Sequence, residues 1–118
     1  MDEIDKLIIS ESSDCEMDLY QIIYDIHFLP PEFTISKKYD IALSSIVKLA
    51  QSNAIEVVQQ TYEKNGSKVR VPYERALLVE ELSESLKHPK FWDRAHNFAA
   101  DTSIVVVATE SGIAAIET

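Results

Sequence analysis

Very little in this 118-residue chain is of the kind that performs chemistry. It has one cysteine, Cys15, which cannot close an internal disulfide, so no disulfide framework holds the fold and a reducing compartment is implied. No redox or metal motif surrounds that thiol, and it reads as an unreactive small side chain. Two glycines are too few to build a phosphate cradle, and G-x-S-x-G, P-loop and dinucleotide fingerprints are all missing. The histidines His27, His88 and His96 are too far apart for an H-x-x-x-H zinc pair. His88, Asp93 and His96 flank Trp92, but three polar residues in such a stretch are most simply solvated. No metal, no cofactor and no catalysis are therefore expected. The longest apolar run, 104–108, falls far short of the roughly 20 residues a membrane helix needs. The opening MDEIDKLIIS is acidic where a signal peptide would be basic, so a cytoplasmic protein without membrane association is expected. Ordinary apolar content with few glycines and prolines argues for one folded domain, 1–118, rather than disorder.

What the chain does have is negative charge, and it is unevenly placed. The net charge is −9, and residues 1–40 carry ten acids against Lys6, Lys37 and Lys38, which is −7 of that total. A field of this sign repels phosphate backbones and attracts basic partners. The first arginine is Arg70, so the N-terminal half has no guanidinium for bidentate guanine readout.

Hydrophobic spacing supplies the elements. In DLYQIIYDIHF, residues 18–28, Leu19, Ile22, Ile23 and Ile26 form one helical stripe with Asp18 as its N-cap, stopped at Leu29-Pro30-Pro31. A shorter helix is read in DEIDKLIIS from Ile4, Leu7 and Ile8, followed by SESSDCE as a loop. A further helix over 36–52 starts at Ser36, buries Leu43, Ile46, Val47 and Ala50, and turns Lys37, Lys38, Ser44, Ser45, Lys48 and Gln51 outward. Asn53 suits its left-handed exit. IEVVQQTYE then changes period to that of a strand, and Asn65 and Gly66 predict a hairpin whose return strand ends at Pro72. Residues 74–87 read as helix, with Val79, Leu82 and Leu86 inward and Glu80, Glu81 and Glu84 outward. Phe91, Trp92 and Phe98 are expected to cap the core. The unalternating run 104–107 predicts a strand buried on both faces. Thr109 and Glu110 then suit the cap and first turn of a closing helix.

This order resembles a winged-helix domain. The direct passage from helix to strand in KLAQSNAIEVVQQ and the strand-to-helix VATESGIAAIE carry the resemblance, which covers about 18–71 and 102–118. It implies an α+β fold with helices packed on a small antiparallel sheet of about three strands. Residues 74–100 insert a helix before the last strand, where an ordinary wing has a tight turn.

Two functions follow. The winged-helix resemblance implies DNA binding, with the 36–52 helix in the major groove and Lys37, Lys38, Lys48, Lys64, Lys68 and Arg70 on phosphates. The acidic first half speaks against it. In size, charge and want of catalytic motifs the chain is similar to immunity proteins of bacterial toxin systems, including contact-dependent growth inhibition. That likeness implies an inhibitor that covers a basic toxin domain, such as a nuclease, with an acidic surface. Its first candidate contacts are Asp14, Glu16, Asp18 and Asp25, with Tyr20 and Tyr24 as aromatic anchors, followed by Glu80, Glu81 and Glu84. The inhibitor is the first expectation, and nucleic acid is not the expected partner.

Overall fold

The computed structural model describes residues 2–26, 33–65, 68–87, 89–92 and 102–117, and for 62–65, 68–73, 89 and 90 it describes the backbone only. The expected features at Leu29-Pro30-Pro31, Gly66, His27, His88, Asp93, His96 and Phe98 lie outside what is described. In chain order the elements are α1 (Glu3–Asp14), β1 (Met17–Asp18), α2 (Leu19–Ile26), α3 (Ile35–Gln51), β2 (Ile55–Asn65), β3 (Lys68–Ala76), α4 (Val79–Ser85), a 3-10 turn (Pro89–Trp92), β4 (Thr102–Ala108) and α5 (Glu110–Ile116). Among the described residues this is an α+β domain of five helices around a four-stranded antiparallel sheet, ordered β1-β4-β2-β3.

The tail behaves as its sequence predicts. β4 lies between β1 and β2, and Ser103, Ile104, Val105 and Val106 are all buried. Thr109 caps α5, its Oγ1 accepting from the Gly112 N–H at 3.0 Å. The same hydroxyl donates to the Asn53 carbonyl at 2.6 Å, and the Thr109 N–H donates to the Ala54 carbonyl at 3.1 Å. Asn53 adopts φ 61°, with its N–H on the Ala50 carbonyl and the Ala54 N–H on the Leu49 carbonyl, a Schellman exit from α3. Gly112 sits directly on that exit. A Cβ there would collide with the Ala54 carbonyl oxygen and lie 2.9 Å from its carbon, so the glycine is required by space.

Six expectations need correcting. The sheet has four strands, because Met17 and Asp18 pair with Val106 and Val105. A two-residue strand is too short to leave a periodic signal. SESSDCE is mostly helix: α1 runs to Asp14, and Ser12, buried, donates to the Ile8 carbonyl at 2.6 Å, letting a polar residue hold a core position. The cap of α3 is Thr34, whose side chain accepts from the Lys37 N–H, and Ser36 lies inside the helix. The buried arc of α3 is Lys38, Ala42, Ser45, Ile46 and Leu49, because α1, α2, α4 and β2 surround it; Lys38 and Ser45 therefore do not face outward.

The return strand does not end at Pro72, and residues 74–78 are not helical. β3 continues to Ala76, with Gln60 opposite Glu74 and Val58 opposite Ala76. The register slips between Thr61 and Glu63, where β3 carries one extra residue. Pro72 falls in that bulge on an edge strand, where its missing donor costs least. Strand pairing overrides the helical propensity of 74–76, and α4 starts only at Val79. Leu82, Leu86, Phe91 and Trp92 are buried as expected, the Trp92 Nε1–H donating to the Leu86 carbonyl at 2.8 Å.

Candidate functional site

Sheet register decides which side chains share a face. Met17, Ile55, Val57, Ile104 and Val106 fall on one face and join Ile8, Ile9, Leu19, Ile22, Ile26, Ile46 and Leu49 in the core. Each fully buried aliphatic side chain of this kind contributes about 1.5–3 kcal/mol. Alternation puts Glu16, Asp18, Gln60, Ser103 and Glu74 on the other face. Gln60 is 3% exposed, and its amide nitrogen donates to Glu16 Oε2 at 2.9 Å and to Glu74 Oε1 at 3.0 Å. One buried amide thus holds two carboxylates, one from the residue before β1 and one from β3.

Glu16 is at the same time part of a groove of about 400 Å³, lined by Glu11, Cys15, Glu16, Met17, Tyr20, Gln21, Tyr24 and Asp25. The helix period explains the lining. Leu19, Ile22 and Ile26 turn α2 inward, which leaves Tyr20, Gln21, Tyr24 and Asp25 on its other side. Gln21 Oε1 accepts the Asp18 N–H at 2.9 Å, the reciprocal half of a capping box, so Asp18 does occupy the N-cap position of α2. Tyr24 is 67% exposed, unusual for so large an aromatic.

Of the nine residues expected to contact a partner, four meet in this groove: Glu16, Tyr20, Tyr24 and Asp25. Asp14 is exposed on the last turn of α1, outside the lining, and Asp18 is half-buried on the sheet face. Burial raises the Asp18 carboxyl above its ordinary range, and the nearby charge of Glu16 adds to this. The Asp25 carboxyl is raised by burial alone. Among the described residues no lysine or arginine lies within ion-pair distance of Glu11, Glu16, Asp18 or Asp25.

The acids of α4 are arranged otherwise and do not enter the groove. Glu81 accepts the Leu78 N–H and pairs with Arg75, both at 2.8 Å, and the backbone bond followed by the guanidinium holds its carboxyl low. Glu84 pairs with Lys87 at 3.2 Å, and Glu80 is exposed.

The cations named for DNA contact are also partly engaged. Lys38 is 6% exposed. Lys48 Nζ lies 2.8 Å from Asp5 Oδ2 and 3.5 Å from Asp2 Oδ2, tying α3 to α1. Lys37 stands 4.8 Å from the centre of the Phe33 ring. For Lys64, Lys68 and Arg70 only the strand positions are described, on the β2–β3 hairpin.

Sequence reading missed Glu11 because it fell in a stretch taken as loop. The spacing of Asp5, Ile8, Ile9 and Ser12 extends the helix past it once Ser12 is allowed as a core residue. It also missed Gln60, which looks like any polar residue in a strand. Among the described residues no group of three or more His, Cys, Asp or Glu is placed to hold a metal ion. No described helix is long and apolar enough to cross a membrane. The chain matches no protein-family model, no curated protein and no solved structure.

Proposed function

We propose that this chain is a non-catalytic, cytoplasmic protein-binding inhibitor of the immunity type. It neutralises a basic bacterial toxin domain, a nuclease first of all, by laying the α1–α2 groove and its flanking acids over the toxin's active site. The observation that carries the reading is the convergence of Glu16, Tyr20, Tyr24 and Asp25, with Glu11, on one concave surface that the chain's own described cations leave uncompensated. A toxin that binds phosphates carries the opposite charge, so such a surface speeds encounter and penalises wrong partners. The exposed Tyr24 supplies the amphipathic anchor that interface centres favour.

The frame is read as winged-helix-like, with α3, the β2–β3 hairpin and β4 running into α5, and α4 inserted before the last strand. A DNA-reading role for that frame is the weaker proposal. A recognition helix must present one face to the major groove; the face α3 keeps exposed, Lys37, Asp40, Ser44, Lys48 and Gln51, carries an acid of its own, and its Lys48 charge is offset by Asp2 and Asp5. Purifying the tagged chain from its own cells and assaying whatever stays bound tests the proposal. The expected result is a one-to-one complex with a basic protein whose nuclease activity returns when the chain is removed. Salt-dependent binding to duplex DNA without any protein partner would overturn it.

A further inference from the structure

Resting on the reading of the groove as the partner's contact surface, we infer that it is a receptor for an arginine side chain of that partner. The groove's volume, about 400 Å³, falls within the roughly 300–1,000 Å³ of small-ligand sites, ample room for one long side chain. Its lining combines two chemistries that a guanidinium uses together. Tyr20 and Tyr24 stand one helical turn apart in that lining, and Tyr24, 67% exposed, carries aromatic surface on which a planar, weakly hydrated cation stacks. Glu11, Glu16 and Asp25 supply carboxylates to the same lining, acceptors that a five-donor fork can engage in pairs and a point charge cannot.

Charge complementarity favours a cation over an apolar side chain in two ways. Like charges are already held close, since Gln60 draws Glu16 and Glu74 onto one nitrogen. Asp25 is partly desolvated with no lysine or arginine in ion-pair distance among the described residues, so an incoming cation relieves a cost that the free protein carries. Lysine would satisfy the charge but forgo the stacking and the bidentate contact, and the receptor therefore discriminates between the two.

The test uses the intact chain, labelled with nitrogen-15, and two capped tripeptides, acetyl-Gly-Arg-Gly-amide and its lysine counterpart, at millimolar concentration. The arginine peptide should shift the amides of Glu16, Tyr20, Gln21, Tyr24 and Asp25 and bind about five-fold more tightly than the lysine peptide. Tyr24→Ala and Asp25→Asn should each weaken it about five-fold, whereas Glu80→Gln on α4 should change nothing. Equal affinity for the two peptides, or shifts scattered over all the acidic residues, would overturn the inference. If the chain inhibits a basic partner while the arginine peptide bypasses the groove, only the arginine assignment falls. If the peptide binds as expected but no protein partner exists, the receptor stands and the inhibitor reading falls.

Discussion

At the start of α1, Asp2 and Asp5 close on Lys48, and on α4 Glu81 and Glu84 close on Arg75 and Lys87. Around the groove, Glu11, Glu16, Asp18 and Asp25 have no such cation among the described residues. The two regions share a charge sign and differ in what the fold has done with it. Backbone N–H groups and Lys48 lower the Asp2 carboxyl, so its ionised form belongs to the folded state. Burial raises Asp18 and Asp25, so their ionised forms are carried at a cost. Net charge therefore hides a division between acids compensated by the chain's own cations and N–H groups and acids that no described cation compensates.

The widest disturbance should come from the support beneath both regions. Gly112→Ala drives a methyl group into the Ala54 backbone at the α3 exit and pushes α5 off α1, for an expected loss of about 3 kcal/mol in urea unfolding. Lys48→Met should come next, with a fall in Tm on the order of 10 °C. It leaves Asp5 buried at 2% exposure without its ion pair, and Asp5 Oδ1 already has no hydrogen-bond partner among the described residues. Asp5→Leu in the same chain should recover much of that loss, because no buried charge is then left without its partner. Peptide and partner binding at the groove should survive both of these changes at temperatures where the chain stays folded.

Gln60→Glu moves the damage to the groove side. It sets a third carboxylate between Glu16 and Glu74 and removes the amide donor, for about 2 kcal/mol at neutral pH. Urea unfolding at neutral pH measures that loss directly. Asp25→Asn should act in the opposite direction and raise Tm at pH 7 by about 2 °C. A carboxyl raised in the folded state makes the fold bind more protons than the unfolded chain, so stability falls as pH rises through that window and stays lower at neutral pH. The asparagine variant should therefore show no gain below the ordinary aspartate range. Asp2 has the reverse sign: its stabilisation is full above the ordinary aspartate range and is lost as pH falls through its lowered value. The least effect is expected at the exposed Glu84–Lys87 pair, where Glu84→Gln should change stability by less than about 0.5 kcal/mol.

Legibility in the sequence tracked the range of the interaction. Helix α2, strand β2, the central position of β4 and the Thr109 cap follow from spacing and local hydrogen bonding, and each was readable. The left-handed Asn53 was readable for the same reason. Features fixed by partners far along the chain were not. Met17 and Asp18 become a strand only because Val105 and Val106 lie beside them, and 74–76 stays extended only because β2 offers a ladder. Lys38 and Ser45 are buried because four elements surround α3, which no single-helix pattern reveals. For the groove, the α2 residues were legible as an acidic, tyrosine-bearing helix side. Glu11 depended on how far α1 runs, and Gln60 on a pairing between strands remote in sequence.

The central claim is that the groove acids, and not the paired acids, meet the partner. It is tested most directly by the association rate of the chain with the basic partner proposed above, measured against ionic strength for two charge-reversed variants. Reversing Glu16 and Asp25 to lysine should slow association at least about ten-fold and flatten its salt dependence, while reversing Glu81 and Glu84 should leave both close to the parent values. Equal slowing by the two variants, or no slowing by the groove variant, would contradict the account.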